Sequence, residues 1–134
     1  MTPEAAVWAL LAARVEALSM TPPLPVVYVA KGPTKAANYV EIAHLPNQNS
    51  RILLADDQPF HRQGILQVTL CAKPGQHEVV YAERAGLIAA HFLGDLRSEN
   101  AVAAIEIYRA DVAPGFADEM HWRVPVSVYY RSYS

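Results

Sequence analysis

RQGILQVTLCAKPGQ, residues 62–76, carries the pattern that decides the fold. After Gly64, strongly apolar residues alternate with less apolar ones, which is the period of a β-strand. One face of this strand holds Leu66, Val68, Leu70 and Ala72. The other face is uncharged and holds Ile65, Gln67, Thr69 and Cys71. Because the outer face of a half-buried sheet is usually polar, the pattern predicts that either a helix or another subunit covers this second face.

The last segment, residues 120–134, repeats the alternation more strictly. Its apolar face holds Met120, Trp122, Val124, Val126, Val128 and Tyr130, and its other face holds His121, Arg123, Pro125, Ser127, Tyr129 and Arg131. Since proline cannot donate to a β ladder, Pro125 predicts a strand at a sheet edge, or a bulge with the proline nitrogen turned outward. An exposed edge would invite a neighbouring chain to pair with it.

Two amphipathic helices are predicted before and between the strands. Thr2 and Pro3 suit the cap and the first position of the first helix. Its apolar stripe consists of Trp8, Leu11, Val15 and Leu18. The second helix is predicted over 76–93, with a stripe of Tyr81, Ala85, Ile88 and Phe92.

The remaining predicted strands cover 26–30, 101–110, and a hairpin of 39–45 and 50–55 joined by PNQN. Consecutive strands with short connections favour antiparallel pairing, with both helices on one face of the sheet. The predicted fold class is therefore α+β, a mostly antiparallel sheet of about five to six strands in the order α-β-β-β-β-α-β-β. We expect residues 1–134 to form one domain, because the length is typical of one and no interior linker is evident.

Composition and net charge limit the classes of function that are expected. Charged residues make up 18% of the 134 residues, below the ~25% of typical chains, which favours self-assembly or a partner. The net charge of −2 gives no counterion release to drive non-specific nucleic-acid binding. A single cysteine, Cys71, fits a reducing compartment, and Glu4, Arg14 and Glu16 make the first helix unlike an export signal or membrane span. The expectation is a soluble intracellular protein with no membrane contact.

Motifs for catalysis or metal binding are not found. The histidines at 44, 61, 77, 91 and 121 have no zinc-site spacing and are predicted to be surface or capping groups. The carboxylate pairs Asp56–Asp57 and Asp118–Glu119 are sequence neighbours in predicted loops, where solvation is favoured over acid-base work. No nucleophile elbow or phosphate-binding glycine loop occurs. We therefore predict no enzyme, no metal and no cofactor, although a site dispersed along the chain would leave no local pattern.

The order of several stretches resembles one family. RQGILQVTLCAKPGQ, then AERAGLIAAHF, then HWRVPVSVYYRS are similar to segments of the bacteriophage tail terminator-like proteins. The leading WALLAARVEAL, PVVYVA and YVEIAHLPNQ stretches are similar in order and spacing, so the resemblance spans nearly the whole chain. The segment ENAVAAIEIYRADVAPGFADEMH departs from the family's pattern.

This resemblance implies a structural virion protein of a long-tailed phage or prophage, assembled in the cytoplasm of the bacterial host. Such proteins are expected to form a ring, commonly of six subunits, on the head-proximal end of the tail tube. The ring stops tube growth and provides the docking surface for the head. The implied partners are other copies of the chain, the tail-tube protein and the head-completion or connector protein, with DNA passing through the ring without sequence-specific binding. No catalytic residue is implied.

Two other interpretations stay open. The first is another neck or head-tail joining component, or a general protein-interaction module. The second is a small enzyme with a dispersed site.

Arginine and aromatic residues suggest where contacts form, since these types most often anchor interfaces. We predict that the C-terminal strand and the 56–63 loop contribute to subunit or tube contacts. The predicted interface residues are Phe60, Arg62, Arg123, Tyr129, Arg131 and Tyr133. The same mixture could stack on single-stranded nucleic acid, but a solvated or subunit-facing sheet surface is favoured.

Overall fold

Two helices and seven strands are present in the computed structural model, which describes residues 2–18, 24–28, 38–51, 60–94, 97–118 and 121–133. The helices are α1 (Pro3–Glu16) and α2 (Glu78–Leu93). The strands are β1 (Val26–Tyr28), β2 (Tyr39–Arg51), β3 (Phe60–Ala72), β4 (Arg97–Glu99), β5 (Ala104–Val112), β6 (Phe116–Asp118) and β7 (His121–Tyr133). One sheet has the order β1-β2-β3-β7-β5-β4, and β6 also pairs with β7.

The α+β prediction is confirmed, with both helices packed on one face of a mostly antiparallel sheet. The element order differs in detail, because three strands lie between the helices and four follow α2. The predicted hairpin at 39–45 and 50–55 is wrong, since β2 continues through PNQN as one strand and pairs with β3. A register shift between Pro46 and Asn49 accommodates the proline, as bulges do. Residues 29–30 and 52–55 of the predicted strands lie outside the described residues.

Strand β7 lies inside the sheet, between β3 on one side and β5 with β6 on the other. The sheet-edge alternative for Pro125 is therefore wrong. Pairing with β5 ends at Val126 and pairing with β6 begins at Arg123, so Pro125 falls in the gap between the two strands. The Pro125 carbonyl accepts a hydrogen bond from the Ala113 amide at 2.9 Å, and the proline nitrogen faces the same side. A proline is tolerated in this central strand because its nitrogen meets a break in the ladder.

Both helices begin at side-chain caps. The Thr2 hydroxyl accepts from the Ala5 amide at 3.2 Å, and the His77 ring accepts from the Val79 amide at 3.2 Å. The predicted apolar stripes are buried against the sheet at Leu11, Val15, Tyr81, Ala85, Ile88 and Phe92. They join one core with inward-facing residues of β2, β3, β5 and β7, so the opposite face of the sheet is left for other contacts.

A polar cluster lies within the helix-facing layer, near Gly64. The Tyr130 hydroxyl and the His44 ring share a hydrogen bond, and His44 stacks on Trp8 with ring centroids 4.8 Å apart. Burial lowers the pKa of His44 and raises the pKa of Tyr130 to about 12. The Tyr130 ring covers Gly64, where a Cβ would collide with it. His44 is thus half-buried, and not the surface group that the sequence predicts.

Candidate interaction surface

The outer face of the sheet, opposite the helices, holds the predicted interface residues of β7. Alternate β7 residues from His121 to Tyr133 are partly exposed on this face, and from Val124 onward the residues between them are buried. Cross-strand rows extend the face over β3 and β2. One row joins Leu45, Ile65 and Tyr129, and a second, towards the other end of the face, joins Tyr39, Cys71 and Arg123.

At the second row, Arg123 binds two carboxylates within the fold. Its Nε donates to Oδ2 of Asp118 at 2.5 Å, and its Nη1 lies 3.4 Å from Oε2 of Glu41. Nη1 also lies 3.3 Å from Sγ of Cys71, and Nη2 lies 3.5 Å from the Tyr39 hydroxyl. Burial on its own lowers the Arg123 pKa, but Cys71, Asp118 and Glu41 outweigh it and the pKa is raised. With 19% of its side chain exposed, Arg123 ties β6 and β2 together across the sheet.

The contacts of Arg123 show what covers part of the uncharged second face of β3. Thr69 is 8% exposed and Cys71 is fully buried. The guanidinium of Arg123 lies against the Cys71 sulfur, and burial raises the pKa of that thiol. Ile65 and Gln67, further along the same face, are only partly buried. A side chain from a neighbouring strand, and not a helix, therefore covers the Cys71 end of this face.

At the other end of the face lie Tyr108, Arg109, Tyr129 and Arg131, which we call the Tyr–Arg cluster. The guanidinium carbon of Arg131 lies 4.5 Å from the centroid of the Tyr108 ring, and that of Arg109 lies 5.0 Å from the Tyr129 ring. The two tyrosine rings are 6.2 Å apart. These distances are typical of cation–π contacts, so the rings hold both arginine side chains in place.

Arg131 differs from the other described arginines of the outer face in having no carboxylate partner. The others each have one: Arg97 with Glu106 at 3.8 Å, Arg109 with Asp111 at 2.6 Å, and Arg123 with Asp118 and Glu41. Within the described ranges, Nε of Arg131 is buried and lacks a hydrogen-bond partner. Buried polar atoms normally have a partner, so this one calls for an explanation.

The predicted interface residues are placed in two groups. Tyr129 and Arg131 meet in the Tyr–Arg cluster, whereas Arg123 lies about 27 Å away along the same strand. Tyr133, the last residue of β7, pairs in register with His61. For Phe60 and Arg62 the structure describes the backbone, which places both beside the end of β7.

Tyr108 and Arg109 belong to the surface but are missed by the sequence pattern. A register shift between Ile107 and Arg109 interrupts the alternation of β5. Tyr108 is 42% exposed, and both residues contact side chains of the outer face. Period-two patterning cannot show a bulge, so only the adjacent Tyr and Arg types at 108–109 could have drawn attention to them.

Aromatic rings and guanidinium groups are prominent on the described part of this surface. Among the described residues there is no group of three or more side chains that could hold a metal ion. Asp118, from a predicted carboxylate pair, binds Arg123, and the other members of those pairs lie outside the described residues. An open groove of about 350 Å³ beside Trp122 is lined mainly by small and apolar residues, with Glu78 at its side. In the part of the chain that is described, the helices are too short or too polar to cross a membrane.

Comparison with known proteins identifies the family. The family model described as phage tail terminator protein matches residues 6–130, from within α1 to near the end of β7. The chain belongs to the phage tail terminator family. This membership confirms the resemblance found in the sequence. It gives the chain a structural role in a phage tail and implies a virion component.

A solved structure has the same fold as this terminator-family chain. The TM-score is 0.77, and the alignment covers 98% of this chain and 96% of that chain. The identity is 20%, so the likeness concerns the fold alone. Comparison with curated protein sequences gives no match.

Proposed function

We propose that the chain forms a ring that caps the head-proximal end of the tail tube, stops tube growth and provides the surface on which the head docks. The match to the tail terminator family over residues 6–130 carries this proposal. Its mechanism is binding, with no bond made or broken. The ring, commonly of six copies in such proteins, contacts the last layer of tail-tube protein on one side and the head-completion or connector protein on the other.

The outer face of the sheet supports a binding role. Tyr129 and Arg131 are contact anchors in this proposal, because they combine ring surface with a guanidinium that lacks a carboxylate among the described residues. Tyr133 lies on the same face at the end of β7, and the backbone of Phe60 and Arg62 lies beside that end. Arg123 contributes indirectly, because its ion pair with Asp118 holds β6 beside β7.

The charge of the chain supports passage of DNA without sequence-specific binding. A net charge of −2 gives no general attraction to phosphate groups, so DNA would move through the opening without being held. Assembly takes place in the cytoplasm of the bacterial host, where a buried, reduced Cys71 is stable.

Electron microscopy of tails made without this protein tests the proposal. We expect tubes that grow beyond the normal length and do not join heads, and normal tails when the wild-type gene is supplied. Tubes of normal length that fail to join heads would assign the chain to the neck instead. Tails that mature as usual would overturn both roles.

A further inference from the structure

We propose that neighbouring copies in the ring join through two different surfaces, the exposed face of α2 on one copy and the Tyr–Arg cluster on the next. In this contact Glu83 of one copy pairs with Arg131 of its neighbour. The inference rests on the proposed ring and names the contact that closes it.

The first surface is an apolar sector of α2 that faces away from the core. Six exposed residues fall within about 140° of the helix circumference: Val79, Ala82, Glu83, Gly86, Leu87 and Ala90. Val79 is 66% exposed and Leu87 is 50% exposed. A helix face that meets water is usually polar, but Glu83 is the charged residue among these six. The sector therefore has the composition of a contact surface with one negative charge.

The second surface is the Tyr–Arg cluster with its apolar neighbours. Leu45, 52% exposed, and the partly buried Ile65 extend the row that contains Tyr129. Arg131 is held against the Tyr108 ring, and its buried Nε lacks an acceptor among the described residues. The Arg131 side chain is only partly buried, so a carboxylate from a partner would add an acceptor for its guanidinium group.

Charge complementarity favours a second copy as the occupant of each surface. Within the described residues neither Glu83 nor Arg131 has an ion-pair partner, because Glu106, which lies opposite Arg131 in register, pairs with Arg97 at 3.8 Å. Apolar or aromatic groups surround both charges. Carboxylate and guanidinium can form a two-point hydrogen-bonded pair. The small side chains of Ala82, Gly86 and Ala90 leave room for tyrosine rings to approach the helix.

The positions of the two surfaces favour a ring. One lies on the helix layer and the other on the outer face of the sheet, so they point to opposite sides of the molecule. A contact between two different surfaces is head-to-tail, and it can close into a ring when the rotation between copies allows.

Charge reversal tests the pairing. Glu83→Arg and Arg131→Glu each place like charges together, so we expect each to raise the concentration for half-assembly by about tenfold or more. The double variant restores opposite charges in swapped positions, and we expect it to recover most of the loss. Lys73→Glu is the control, because Lys73 is exposed outside both surfaces. Light scattering measures assembly in solution, and tail length in complemented phage measures it on the tube.

The outcomes separate this contact from the proposed function. If both single variants assemble and limit tail length as wild type does, the proposed contact is wrong. It is also wrong if the double variant assembles no better than the weaker single variant. Neither result contradicts the proposed ring. If tails lacking the chain are normal, the proposed function itself fails. Should a charge reversal unfold the protein in a thermal melt, Glu83→Gln and Arg131→Gln replace it. Their effects must then be non-additive in a double-mutant cycle, and simple additivity would overturn the pairing.

Discussion

The two ends of the outer sheet face use the same residue types in different ways. At one end, Arg123 binds Asp118 and Glu41 and lies close to the Tyr39 hydroxyl. At the other end, Arg131 is stacked on Tyr108 and lacks a carboxylate among the described residues. The first arginine has its ion-pair partners inside the fold, and the second has none within the described residues, as our proposal of an external partner requires.

The difference depends on whether a neighbouring carboxylate reaches the guanidinium, because Glu106 lies opposite Arg131 on β5 but pairs with Arg97. Arg123 and Arg131 lie on the same strand and the same face, and a residue-type criterion selects both as interface anchors. We infer that Arg123 contributes mainly to stability and Arg131 mainly to assembly.

The largest expected effect is on folding. Arg123→Ala should lower the free energy of unfolding by about 1–2 kcal/mol, because the partly buried carboxylates of Asp118 and Glu41 lose their shared partner. Arg131→Ala should lower it by less than about 1 kcal/mol, since no carboxylate within the described chain depends on it. Urea denaturation of both variants measures the difference. Equal losses would contradict the division between the two ends.

The next effect is on assembly. Tyr129→Ala combined with Arg131→Ala should raise the concentration for half-assembly by about tenfold or more, because aromatic and arginine anchors dominate interfaces. Ser127→Ala is the control, since Ser127 lies on the same face between the two ends. Mass by light scattering and tail length in complemented phage are the measurements. An unchanged distribution of oligomers and tails would count against the C-terminal strand as a contact.

Local patterns were enough to predict much of the fold. The apolar stripes of α1 and α2 and the alternation of β3 and β7 reflect burial on one face, which depends on residues close together in sequence. The cap at Thr2 was also predictable, since it depends on the next few residues. The apolar stripes of the helices and the apolar faces of the strands together predict that both helices pack on one side of the sheet.

Features that depend on distant strands could not be predicted. PNQN resembles a turn, yet pairing with β3 keeps it within β2. Pro125 suggests an edge, yet the gap between β5 and β6 admits it to a central strand. For the candidate surface, the period-two pattern places Tyr129 and Arg131 on one face. Tyr108 joins them through a bulge in β5, which that pattern does not show. Arg123 pairs with Glu41, which is 82 positions away in sequence, so this contact could not be read from local sequence.

A smaller effect is the pH dependence of stability, which should arise from His44 on the helix-facing side of the sheet and not from Arg131 on the outer face. Burial lowers the pKa of His44, so the neutral ring stabilises the folded state above the unfolded pKa of about 6.5, and this contribution is lost as the pH falls towards the folded pKa. The free energy of unfolding should fall from pH 7 to pH 5, with His44 contributing a slope of at most about 1.4 kcal/mol per pH unit. His44→Gln should flatten that slope. Arg131→Ala should leave it unchanged, because arginine stays charged over this range. Denaturant titrations at both pH values give the comparison, and a slope that is the same with and without His44 would contradict it.

The smallest effect concerns how Arg131 is held. Tyr108→Ala removes the ring under the guanidinium, so the arginine gains freedom that assembly must then restrict. We expect the concentration for half-assembly to rise by about two- to fivefold, the range of an exposed cation–π contact. Tyr108→Phe keeps the ring and should assemble as wild type does, which separates stacking from any role of the hydroxyl. Light scattering of the two variants side by side measures this. If Tyr108→Phe loses as much as Tyr108→Ala, the hydroxyl itself makes the contact, and the positioning of Arg131 by the ring is not what prepares this end of the sheet for its partner.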